Sequence, residues 1–329
     1  MAGVLFVMAA CTRLETDEDT VFTEMPISFS TAADTRAGRT YVQGITFAAS
    51  SRIGVFCYYT GQTAFGDGTA CQPNFMYHQL LTKQSSGAWV YEPVKYWPNG
   101  QGDKLTFCAY YPYRGTGITL ATDNATAGLP QFTFTVQEHS VDEVDFMLSD
   151  VVADEMHVTA ERTTTVGYRV LLRFHHALSR IVLRVVDDDD NPLDFEGTVS
   201  GWYDSGTCQP STSEPVSWSS CVKGGTVFTT RGATTDNERL LLLIPGNLQA
   251  AGMDALLHFS YVYRGIPLES EDFHLNATGA STPEDTTDDL TQWEPGKTYI
   301  YTYTVSHSGN HLSVTVNPWY QAGMVFANY

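Results

Sequence analysis

Residues 166–186 read VGYRVLLRFHHALSRIVLRVV. On either side of the central His-His-Ala-Leu-Ser, apolar β-branched and aromatic residues interleave with polar ones. That pattern fits two extended strands, Val166 to Phe174 and Arg180 to Val186, better than any helical face. Runs of the same kind recur roughly every dozen positions: Ile27-Ser28-Phe29, Arg52 to Tyr59, Trp89 to Tyr91, Leu105 to Tyr110, Gln131 to Val136, Leu240 to Ile244, Leu256 to Tyr263 and Tyr299 to Val305. Gly, Pro, Asn and Asp punctuate the gaps between them. Only Val141 to Met147 and Gly246 to Met253 admit a helical reading. Many short strands with regular turn signals predict an all-β fold of packed sandwiches.

Working outward, 329 residues exceed the usual size of one domain, so two are expected. The polar, Thr-rich stretch 154–165 (DEMHVTAERTTT) places the boundary near residue 162, giving units 12–162 and 163–329. Asp and Glu outnumber Lys and Arg 37 to 18, for a formal net charge of −19. Such a surface repels phosphate backbones, which excludes nucleic acid as a partner. The N-terminus is apolar from Ala2 to Ala10, ends in two small residues and meets Cys11 before an acidic stretch. This resembles a bacterial lipoprotein signal, residues 1–11, with Cys11 taking the lipid. No other segment approaches the ~20 apolar residues of a spanning helix, so the expected attachment to the outer membrane is through that lipid.

Residue types that carry chemistry do not converge. The sequence lacks a GxSxG elbow, an HExxH pair, a phosphate-binding glycine loop and a dinucleotide fingerprint, so neither an enzyme nor a cofactor is expected. His175 and His176 fall on opposite faces of one strand and cannot share a metal. The run Asp187 to Asp190 reads as a solvated turn, because its spacing does not match a calcium loop. Cys57 and Cys71 bracket a turn and Cys208 and Cys221 lie 13 apart, but with Cys108 the number is odd, which leaves disulfides open. A rival role is a monomeric surface lipoprotein binding glycan or protein, with Trp202-Tyr203, Trp218, Tyr261 or Tyr263 stacking on sugar rings.

An ordered set of segments carries a family resemblance. They are Ile27 to Phe29 ahead of Thr35-Arg36-Ala37, Ile53 to Phe56 with Tyr58-Tyr59, Asn74 to Met76, Trp89 to Pro98, Phe107 to Tyr113, Asp145 to Met147, Phe174 to Ser179 ahead of Ile181 to Leu183, Trp293 to Tyr299, and Val314 to Trp319. Together they resemble the fimbrillin family, the Mfa-like type V pilin subunits of anaerobic Gram-negative bacteria. The resemblance implies two tandem transthyretin-like β-sandwich domains. It further implies an exported lipoprotein of the cell surface and fimbrium that an Arg-specific, trypsin-like protease trims, and that joins other fimbrial subunits by strand exchange.

Carried onto this chain, the resemblance places the cut after Arg36, with Arg39 as the alternative. The released first strand would be the one whose Met25, Ile27 and Phe29 share a face. The donor candidates Leu312, Val314 and Val316 alternate with polar residues ahead of Pro318-Trp319 and the apolar Met324-Val325-Phe326. Against that donor role stands an ordinary last strand, paired with Tyr299 to Val305 through a turn at 306–310. In that case the segment after Trp319 is short for a donor, and the subunit takes a tip or accessory place instead of a shaft one.

Overall fold

The computed structural model of the chain describes residues 25–33, 47–66, 71–100, 102–139, 142–156, 168–211, 216–230, 238–275 and 290–319. They form an all-β molecule. The largest sheet runs in the order β1 (Ser28–Ala33), β10 (Arg169–His176), β8 (Met147–Ser149), β5 (Lys104–Tyr111), β2 (Arg52–Gly61), β3 (Met76–Lys83), β4 (Trp89–Val90), with β9 (Val152–Met156) also on β5.

Its central strands β2 and β5 are buried on both faces. Ile53, Val55, Cys57, Leu105, Phe107 and Ala109 point into one core, and Phe56, Tyr58, Cys108 and Tyr110 into the other. This is why both strands read as continuous apolar runs instead of clean alternations. The sheet curls until its two ends meet. The Ile27 N–H donates to the Lys95 carbonyl (2.9 Å) and the Trp97 N–H to that of Met25 (3.0 Å), with Pro26 bridged to Tyr96. β1 is therefore the stave that closes a cylinder, and the first core lies inside it.

The other sheets build on the outer face. One comprises β14 (Trp218–Lys223), β13 (Tyr203–Cys208), β7 (Phe132–Thr135) and β6 (Ile118–Leu120). A second runs β16 (Arg239–Leu243), β11 (Ser179–Asp187), β22 (Lys297–Val305), β23 (His311–Pro318). The third joins β15 (Phe228–Thr229), β12 (Asp194–Ser200), β18 (Leu256–Tyr263) and β19 (Ile266–Glu269), with β20 (Phe273–His274) on β18. A short pair, β17 (Gly246–Asn247) and β21 (Gln292–Trp293), completes the set. The outer core is continuous from Phe56 and Phe132 through Trp202 to Tyr303 and Trp319.

Residue 162 itself lies outside the described residues, but sheet membership crosses that position twice. β10 pairs with β1 and β8, and β7 pairs with β13. A division at 162–163 would part β10 from both its partners. Neither stretch with a helical reading is a helix over its described residues: Met147 opens β8, and Gly246 to Met253 begins in β17 and continues as turns. Among the described residues every element is a strand.

Candidate functional site: the first-strand groove and the C-terminal seam

β1 lies parallel to β10, in register from Ser28↔Arg169 to Ala33↔Phe174. The period-2 alternation of Met25, Ile27 and Phe29 turns all three inward. Ile27 and Phe29 are buried, and half-buried Met25 packs at the rim of the same core. The Phe29 ring meets Tyr91 and Phe107 edge to face, at centroid distances of 5.7 and 5.8 Å. Below it stand Val170, Leu172 and Phe174 of β10. The far wall of the slot is β4 and the segment after it. There the Tyr91 hydroxyl donates to the Ile27 carbonyl (2.8 Å) and the Trp89 indole N–H to Thr31 Oγ1 (3.3 Å).

Arg169 to Leu172 pair with no other strand among the described residues, since β8 reaches only Phe174 to His176. Withdrawing β1 would leave an apolar trough lined by a bare strand edge, which is the geometry that recruits another strand.

The C-terminal donor candidates sit elsewhere. β23 is antiparallel to β22, from Lys297↔Pro318 to Thr304↔His311, at the edge of its sheet. Leu312 (7% exposed) and Val314 (3%) enter the outer core, whereas Val316 is 39% exposed. The three residues belong to the last strand of their own sheet. Cys11, Arg36, Arg39 and Met324-Val325-Phe326 lie outside the described residues.

Sequence reading missed the seam that joins the two regions. β10 ends at His176 and β11 begins at Ser179, so Ala177 and Leu178 alone carry the chain between sheets. His176 Nδ1 is 2.7 Å from Asp145 Oδ1, and both side chains are buried. The Trp319 indole lies flat on the His176 imidazole, 3.8 Å between centroids and 10° between planes, and its backbone N–H donates to the Gly296 carbonyl. Around them Ala177 N–H donates to the Phe146 carbonyl, Gly296 N–H to the Leu178 carbonyl, and Ser179 Oγ to the Glu294 carbonyl. Four resemblance segments, at 145–147, 174–179, 293–299 and 314–319, thus meet at one place. Their recurrence as blocks was the available signal. Their contact was not, because it spans from Asp145 to Trp319. As alternation requires, His175 turns to the opposite face, where it meets Asp150 at 2.6 Å.

Nearby Glu143 is buried, and burial pushes its carboxyl well above the usual range against the opposing pull of the Leu242 backbone. The aromatics considered for sugar stacking are largely committed inward. Trp202 is fully buried with its Nε1–H on the Ile244 carbonyl (2.8 Å), Tyr261 is buried, and Trp218 donates to the Ala177 carbonyl (2.7 Å). Tyr203 and Tyr263 are half-buried. The five described cysteines are free thiols. The Asp187 carboxylate closes its own turn by accepting from Asn191 and Asp189, and no metal-binding cluster occurs among the described residues.

The fold recurs in solved proteins. A fimbrial protein from Bacteroides vulgatus aligns with a TM-score of 0.55 at 19% identity, over 89% of this chain and 99% of its own. Candidate cell adhesion proteins from Bacteroides uniformis (0.58, 18%, 89% and 98%) and Bacteroides ovatus (0.58, 14%, 92% and 100%) align as well. No curated protein matches the chain. The fimbrillin-like family model matches residues 35–319, a span that takes in β10, the seam and the whole of β23, and the chain accordingly belongs to the fimbrillin-like family.

Proposed function

We propose that this fimbrial protein is a strand-exchanging subunit, made as a lipoprotein on Cys11 and matured by a cut after Arg36, or after Arg39. The observation that carries the reading is β1 itself. It is a short terminal stave, held on one side by β10 and on the other by a few bonds to residues 91–97, over a trough of aromatic and aliphatic side chains.

A cut at Arg36 severs β1 from everything after it and turns an intramolecular strand into a replaceable peptide. Giving up β23 instead would strip β22 of its outer partner and expose Leu312 and Val314. The strand offered to a neighbour is therefore the segment after Trp319. Ala322, Met324 and Phe326 repeat the spacing of Met25, Ile27 and Phe29 and likewise end on Phe, and the three sites of the trough span only five residues. A short segment suffices for them. Adhesion and anchoring in the outer membrane follow from that assembly and from the lipid.

The test is digestion of the purified chain with a trypsin-like protease, followed by sequencing of the new N-terminus and native electrophoresis or electron microscopy. A start at Ala37 or Thr40 together with ladders of oligomers is expected. An uncut N-terminus, or a trimmed product that stays strictly monomeric, would overturn the reading.

A further inference from the structure

We propose that Arg52 and Arg114, gathered around the ring of Tyr113, form a binding site for the carboxylate of an acidic sugar, with the exposed ring of Tyr77 flanking it as a platform for the sugar's apolar face. The proposal goes beyond strand exchange and does not depend on it.

The site is built on the outer face of the largest sheet. Arg52 opens β2, and the Tyr113 N–H donates to its carbonyl (2.9 Å), which brings the residues that follow β5 against it. Both guanidinium carbons lie 5.3 Å from the Tyr113 ring centroid, so the two cations cannot be farther apart than twice that distance. On the neighbouring strand Tyr77 and His78 together face the single residue Phe56, because β3 bulges between Val55↔Gln79 and Cys57↔Met76. His78 is left-handed there (φ 50°), as is Arg114 (φ 53°). Such backbone is costly for residues other than glycine, and bulges re-aim side chains at functional places. This one stacks His78 on Tyr113, 4.6 Å between centroids, and leaves Tyr77 edge-on to the same imidazole at 6.2 Å. The Tyr77 hydroxyl donates to the Thr122 carbonyl (3.0 Å), fixing a ring that is still 36% exposed.

Charge makes this arrangement a receptor. Acidic residues outnumber basic ones two to one, and Arg184 and Arg239 each take a carboxylate, Glu238 and Asp194. Among the described residues neither the Arg52 nor the Arg114 guanidinium has an ion pair or a hydrogen bond. Burial and the Arg114 charge both lower His78, so its imidazole is neutral and adds no third cation. The Tyr110 hydroxyl accepts from the Arg114 N–H (3.2 Å) and donates to His78 Nε2. Burial pushes Tyr110 up to about 12, against the pull of that N–H and of both arginines. Two unpaired guanidinium groups around one ring repel each other, and a bound oxyanion replaces that repulsion with two charge-assisted contacts. A guanidinium over an aromatic ring keeps its N–H edge free for such a contact.

The surroundings select the ligand. A net charge of −19 repels polyanions at long range, which favours a ligand that carries its charge sparsely. A peptide strand needs a regular ladder edge, but the bulge interrupts that of β3, and Gln79 Nε2 crosses it to the Glu92 carbonyl (2.9 Å). Fixed aromatic rings beside two cations suit a pyranose with one carboxylate and one apolar face, as in a uronic acid.

The experiment titrates the full chain at low ionic strength with a glucuronate-containing disaccharide, and with the same disaccharide reduced from carboxylate to alcohol. The readouts are calorimetry and NMR of the arginine Nε–H signals. The acid is expected to bind at least tenfold more tightly than the alcohol. Arg52→Gln and Arg114→Gln should each lose about tenfold, the worth of one charge-assisted contact. Arg52→Lys, which keeps the charge without the fork, and Tyr77→Ala should lose less. Arg264→Gln, whose guanidinium lies over Tyr263 on another sheet, should lose nothing. Equal binding of acid and alcohol, no binding of the acid, or full binding by both glutamine variants would overturn the site. Inorganic sulfate binding as tightly as the uronide, or an Asp- and Glu-rich hexapeptide binding more tightly, would overturn the sugar as its ligand.

Discussion

Replacing Phe29 with Ala should loosen the closing stave without disturbing the rest of the molecule. The ring is 3% exposed and wedged edge to face between Tyr91 and Phe107. Truncating a buried Phe to Ala costs about 3–5 kcal/mol. Each edge-to-face pair is worth about 0.5–1.5 kcal/mol beyond its area, which places this site near the middle of that range, at about 4 kcal/mol. Because Arg169 to Leu172 have β1 as their sole ladder partner among the described residues, their amides report its opening directly. At 1.4 kcal/mol per tenfold, native-state hydrogen exchange there should accelerate on the order of 10³-fold in Phe29→Ala. Ser30 occupies the other face of β1, so Ser30→Ala should stay within about 0.5 kcal/mol, near a twofold change. Exchange at the Ile181 to Val185 amides of β11 should not move in either variant. If Phe29→Ala and Ser30→Ala exchange alike at 169–172, β1 does not hold that edge and the groove argument fails.

Three further outcomes follow from burial and charge. The raised acid at Glu143 keeps its proton in the folded chain over a pH window where the unfolded chain, near the ordinary 4.5, has lost it. Stability therefore falls as pH rises above that value, so the advantage of Glu143→Gln should widen from pH 5 to 8 and vanish below about 4.5, read from urea midpoints; a gap independent of pH would refute it. Burial pushes the Cys57, Cys108 and Cys208 thiols far up and shields them, while half-exposed Cys71 and Cys221 are raised less deeply in the molecule. Alkylation of the native protein should mark Cys71 and Cys221 and reach the other three only after unfolding, as mapped by peptide mass spectrometry. Leu312→Ala should cost about 2–5 kcal/mol and Val316→Ser within about 0.5 by denaturant titration, whereas equal costs would contradict the placement of β23.

Period-2 alternation made the strands legible, and with them the inward face of Met25, Ile27 and Phe29 and the opposed histidines. What alternation cannot carry is partnership. Val166 to Phe174 reads as the opening strand of a second unit, yet Arg169 to Phe174 pair with β1, more than a hundred residues earlier, because parallel pairing is set by the whole fold and leaves no local mark. Val316 continues the apolar row of Leu312 and Val314 in sequence yet is exposed in the structure, since alternation records which way a side chain faces but not whether anything covers it. Trp202 and Trp218 admit a sugar-stacking reading in sequence, although aromatics of β-sandwiches more often pack the core, and the Ile244 and Ala177 carbonyls that claim their indole N–H groups decide for the interior. Val141 to Met147 admits a helix in sequence, but Met147 is drawn into the ladder beside His176 and Tyr111.

The seam also gives the resemblance segments a mechanical reason for meeting. If subunits exchange strands as proposed above, tension in a fibre would enter a subunit through the strand seated on β10 and leave through the segment after Trp319. Between those points the covalent path is two residues, Ala177 and Leu178, from the end of β10 into β11, which then runs parallel to β22 from Arg180↔Thr298 to Asp187↔Val305. Ladders loaded along their strands resist in shear, many bonds at once, while a single exit point would be pulled bond by bond. The Trp319 stack on His176, with Asp145 behind it, ties the exit back to the end of the groove wall. Load arriving on β10 and load leaving at Trp319 then meet on the same imidazole, and β23 is spared from being peeled off β22. On this reasoning Asp145, His176, Gly296 and Trp319 are coupled as one joint. Replacing His176 and Trp319 together should weaken the fibre no more than replacing either alone, since either loss breaks the same link.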